Sequence, residues 1–81
     1  MEVNYRLKGH ILEVVENQLN SGELPIVNET LDRLIKEGYS KKQAKEMIGS
    51  AIAIEIYETM KNDKPYDEAR YIRNLKKLGK K

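Results

Sequence analysis

The chain has a single histidine, and its neighbours on a helix face raise the question of metal ligation. On a helix, His10 shares a face with Glu13, Val14 and Asn17, at spacings of three, four and seven residues. An imidazole and a carboxylate one turn apart make half a metal site. A full site needs three or four ligands, which Glu55, Glu58 or a second subunit would have to complete. Di-metal helical bundles carry Glu-x-x-His on each of two helices. Here the order is His-x-x-Glu and occurs once, so the expectation is no bound metal or cofactor, with His10 a hydrogen-bonded boundary residue.

Two other groups of side chains invite chemistry. Glu55 and Glu58 continue an apolar helix face: either that face has reached solvent, or the pair looks into a cleft open to a cation or an arginine, with Arg33 the expected internal partner. Towards the carboxyl end, Arg70, Arg73, Lys76, Lys77 and Lys80 fall on one side of a helix, opposite Tyr71, Ile72, Leu75 and Leu78. Such a face suits phosphates or an anionic membrane, or serves as a solvated terminus that complements the helix dipole. Only Tyr66 and Tyr71 could stack on bases, and Trp and Phe are absent, which disfavours single-stranded RNA and membranes respectively. Gln18 falls inside an apolar stripe and needs partners for its amide, expected in the loop backbone near residues 24–26.

Much else is excluded. No nucleophile elbow, phosphate loop, zinc motif or EF-hand loop occurs, and Ser21, Ser40 and Ser50 have no triad around them. The absence of Cys removes disulfides and thiol chemistry and fits a cytoplasmic setting. The amino-terminal Met1-Glu2-Val3-Asn4-Tyr5-Arg6 lacks the apolar run of a signal peptide. The run Ala51-Ile52-Ala53-Ile54 is far short of the ~20 residues that cross a bilayer. A net charge of +2 says nothing of nucleic acid by itself. At 81 residues there is one domain, whose folding hides only about 60% of the unfolded surface. That leaves little room for both a core and a deep substrate pocket, and leans away from an enzyme.

These side chains must be held by helices. Apolar spacing, two prolines and the glycines predict an all-α, compact array of four helices, at about 4–20, 25–37, 41–61 and 67–78, with the third central. Leu7, Ile11, Val14, Val15 and Leu19 form the first stripe; Val27, Leu31, Leu34 and Ile35 the second. Pro25 suits a first turn, Ser40-Lys41-Lys42-Gln43 is a capping box, and Asp67 caps the last helix. The Gly38-Tyr39-Ser40 turn resembles that of a helix-turn-helix and the first loop of a ubiquitin-associated domain. The helix that follows is too long and apolar to lie in a DNA groove, and as a central spine it does not fit the three short helices of the second module.

The third helix changes face. Ala44, Met47, Ile48, Ala51 and Ile52 lie on one side; Gly49, Ala53, Ile56, Tyr57 and Met60 lie roughly opposite. Two readings stand: the second and fourth helices cover opposite sides within one chain, or part of one side belongs to a second subunit. Gly49 and Ala53 would admit a close backbone in either case.

The segment His10-Ile-Leu-Glu-Val-Val-Glu-Asn-Gln-Leu19, with Arg33-Leu34, Gly38, Ala44 and Ile48-Gly49, resembles a family of short bacterial and archaeal helical proteins of unknown function. The resemblance covers residues 10–50 and implies a helical fold and no particular activity. The positions matching its pattern are His10, Glu16, Asn17, Gln18 and Arg33, which suit a polar network between the first two helices at least as well as ligand capture. Taken together, the residues favour a non-catalytic protein-interaction or self-associating domain, with the third helix supplying the interface to another protein or to a second copy. A nucleic-acid accessory role for the basic last helix, and a metal or small-ligand site around His10, are the alternatives.

Overall fold

The computed structural model describes residues 5–63 and 65–79, with side chains from residue 9 onward. The expected helix start at residue 4, the first residues read for a leader segment, Lys64 and Lys80 lie outside the described residues. The chain is all-α, with four helices: α1 (Tyr5–Ser21), α2 (Pro25–Lys36), α3 (Lys41–Asn62) and α4 (Glu68–Lys77). Each expected boundary that falls on described residues is met within one residue.

Local chemistry accounts for these boundaries. Ser40 Oγ accepts from the Gln43 amide at 3.0 Å while Gln43 Oε1 accepts from the Ser40 amide at 2.9 Å, so two otherwise orphaned N–H groups at the start of α3 are satisfied. Pro25 opens α2, where its missing N–H costs nothing. Asp63 ends α3 in the left-handed conformation, φ 53°. Asp67 Oδ1 accepts from the Arg70 amide at 3.1 Å and starts α4.

α3 touches each of the other helices, and α2 also adjoins both α1 and α4. Among the described residues, α1 and α4 share no close backbone approach. The three outer helices therefore wrap α3 and leave an opening between α1 and α4. Val15 of α1, Val27 and Leu34 of α2, Ile48 of α3, and Tyr71 and Leu75 of α4 form the centre of the core, all essentially solvent-free. The radius of gyration, 12.6 Å, is near the roughly 12 Å of a closely packed chain of this length.

The two flanks of α3 have different fates. Ala44, Ile48, Ala51 and Ile52 are buried as expected. On the other flank the covering helix is α1, where the sequence suggested α2 or α4: a Cβ on Gly49 would stand 3.1 Å from Ile11 Cγ2. Gly49 is what permits this approach. Further along the same flank the cover runs out. Ala53 and Ile56 are half-buried, and Tyr57 and Met60 are exposed.

A Gly49→Val variant tests this packing. Its branched side chain has to displace Ile11, and overpacking of this kind costs about 1–3 kcal/mol. Urea unfolding should show a lower midpoint with an unchanged slope.

Candidate functional site

α4 is only ten residues long, too short to persist alone, and both of its ends are held by charged side chains from other helices. Glu55 of α3, with 5% of its side chain exposed, serves the first turn. Its Oε2 accepts from Arg70 Nε at 2.7 Å; its Oε1 accepts from Arg70 Nη2 at 2.9 Å and from the Asp67 amide at 3.1 Å. At the far end, Arg33 of α2 donates through Nη1 to the Leu78 carbonyl at 2.8 Å and through Nη2 to the Leu75 carbonyl at 3.1 Å, while Nη1 also meets Glu37 Oε2 at 2.8 Å. The carboxylate sits at the positive end of the helix dipole and the guanidinium at the negative end, so both interactions are favourable. Gly79 completes the lower anchor with φ +89°, where a Cβ would lie 2.7 Å from Leu34 Cδ2 and 3.2 Å from Arg33 Nη1.

This corrects the expected pairing of Arg33 with Glu55. The two sit at opposite ends of a helix roughly 15 Å long. The partner of Glu55 is Arg70, which the sequence had placed on the open basic face.

The opening between α1 and α4 forms a groove of about 320 Å³, floored by Ile52 and Ile56 and walled by Val14, Met60 and Tyr66. Tyr71 reaches across it from α4 and donates its hydroxyl to Gln18 Oε1 at 2.8 Å, joining two helices that, among the described residues, have no close backbone approach. The Tyr66 and Tyr71 rings lie 6.3 Å apart at 55°, a favourable tilted contact. Burial pushes the Tyr71 hydroxyl well above the usual phenol range and the Tyr66 hydroxyl up as well. The hydrogen bonds from Arg70 hold the Glu55 carboxyl below its ordinary range, against the opposing effect of burial; the same pairing raises Arg70.

The other sequence candidates disperse. His10, Glu13 and Asn17 are exposed on α1, and among the described residues no three His, Asp or Glu side chains come together to hold a metal. Glu55, expected as a possible further ligand there, has both oxygens committed to α4. The expected network joining α1 to α2 through His10, Glu16, Asn17, Gln18 and Arg33 does not form: Glu16 pairs with Lys45 of α3, while Gln18 and Arg33 turn to α4. Asn28, which the sequence reading passed over, ties the end of α1 to α2 by donating to the Leu19 carbonyl at 3.0 Å. Glu58 accepts from the Asn62 side chain one turn on. Arg73, Lys76 and Lys77 are exposed, but Arg70 is spent on Glu55 and Tyr71 is buried away from any base. The missed elements were the Tyr71–Gln18 bond and the role of Arg70. The available signal was that Gln18 and Glu55 are polar residues on otherwise apolar faces, each needing a partner from outside its own helix.

The Glu55–Arg70 pair makes stability depend on pH. Because the native Glu55 carboxyl titrates below its ordinary value of 4.5, its contribution is complete above that value and is lost as pH falls through the lower native one. Denaturant melts from neutral to about pH 3 should show Glu55→Gln with a shallower acid limb than the parent. Arg70→Met should be less stable at neutral pH, with the deficit narrowing in acid as the stranded carboxylate takes up a proton. Comparison with known proteins gives no further guide: no protein-family model, curated protein or solved structure matches the chain.

Proposed function

We propose that this chain is a non-catalytic, cytoplasmic interaction domain that self-associates through the carboxyl-terminal half of α3. The observation that carries this reading is a run of large apolar side chains left in solvent on successive turns. Ile54 is 45% exposed, Tyr57 55% and Met60 80%. They border a shallow trough between α1 and α3, with Ile11 and Ala53 at its base. Adjacent exposed apolar side chains on a small protein mark contact surfaces more often than scattered single ones do. Lys61 sits at the rim, donating to the Tyr57 hydroxyl at 2.7 Å, which gives the apolar patch a polar edge.

A second copy is the preferred partner for two reasons. One exposed helix face can meet its own image about a two-fold axis, the commonest oligomer symmetry. A chain of this size also gains disproportionately from added buried area. No helix among the described residues is long and apolar enough to cross a membrane. A nucleic-acid role has less support: among the described residues, the basic face of α4 keeps Arg73, Lys76 and Lys77 once Arg70 is engaged.

Sedimentation velocity over a wide concentration range tests the reading. The parent should show a concentration-dependent shift to dimer. Tyr57→Glu should weaken association at least about tenfold, ~1.4 kcal/mol, with its helical circular dichroism intact. A parent that stays strictly monomeric at high concentration overturns self-association.

A further inference from the structure

The groove between α1 and α4 contains a hydrogen-bond donor that the protein leaves over. Tyr71 gives its one O–H to Gln18 Oε1, which orients the amide and directs its –NH₂ away from Tyr71. Among the described residues nothing accepts from that nitrogen. The charged group beside it is neutralised internally, since Arg70 and the Asp67 amide occupy both oxygens of Glu55. An ionic ligand would therefore find no countercharge, and a neutral one needs none. The remaining surface is mostly hydrocarbon, thioether and aromatic ring, from Val14, Ile52, Ile56, Met60 and Tyr66, with the Thr59 and Tyr66 hydroxyls its other polar groups. Its volume of about 320 Å³ is at the small end of ligand cavities, about 300–1,000 Å³.

We infer that this groove binds a small, neutral, largely apolar molecule carrying one carbonyl-type acceptor, which takes an N–H from Gln18. The apolar body covers Ile52 and Ile56, and the acceptor points to the α1 wall. This goes beyond self-association, which uses the other side of the Ile56–Met60 wall.

Prodan, a neutral naphthyl ketone whose emission moves to the blue in apolar surroundings, is a suitable probe. Titrated into the intact protein, it should show saturable, blue-shifted emission at one probe per chain and shift the Gln18 side-chain amide resonances. Thr59→Trp, at an exposed position on the groove rim, should fill the space and abolish binding. Gln18→Glu, assayed near pH 8 where the new carboxylate is ionised, keeps an acceptor for Tyr71 but removes the donor. It should weaken binding about tenfold. Tyr57→Glu, on the self-association patch, should bind as the parent does, which separates the two proposals. The proposal is overturned if no saturable binding occurs, if either Thr59→Trp or Gln18→Glu leaves it unchanged, or if Tyr57→Glu abolishes it.

Discussion

The arrangement of this protein depends on how α4 is held. Ten residues do not sustain a helix in water, and the apolar side of α4 offers few large side chains beyond Tyr71 and Leu75. Glu55 from α3 and Arg33 from α2 grip it at opposite ends, each on the terminal backbone groups a helix cannot satisfy within itself. Their signs match the helix dipole. The arrangement also determines position along the axis: sliding α4 by one turn would leave a nearly buried carboxylate without donors.

With α4 held there and α1 seated on Gly49, the opening between them follows. α1 and α4 both lean on α3 without close backbone approach to each other among the described residues, and the Tyr71 hydroxyl spans the distance to Gln18. The space beneath that bridge is the groove. The hydrogen bond both braces the two helices and orients the amide on which the proposed ligand contact rests. A structural bond and a proposed binding feature are thus the same pair of side chains.

The carboxyl-terminal half of α3 presents apolar surface in two directions, and Ile56 and Met60 stand between the groove and the exposed patch of Ile54 and Tyr57. A ligand on one side and a second chain on the other would press on a common wall. Under the proposed reading, Met60 is the most adaptable member of that wall, with a flexible thioether chain that can repack towards either side.

Helix number, limits and caps were legible in the sequence because they rest on local chemistry: Ser40 with Gln43, Asp67 with the Arg70 amide, Pro25 and the apolar periodicity. The change of face along α3 was legible too, as a pattern in one helix. What the pattern could not say is which neighbour covers each part. Gly49 was readable as a place of close approach, but only the packed structure identifies α1 there and leaves Tyr57 and Met60 uncovered. The partners of Gln18, Arg33 and Glu55 were likewise decided by tertiary structure. A long polar side chain on an apolar face announces that it needs a partner. Which partner it takes depends on the relative shift and rotation of whole helices, and those are set by the summed packing of the core rather than by any spacing along the chain.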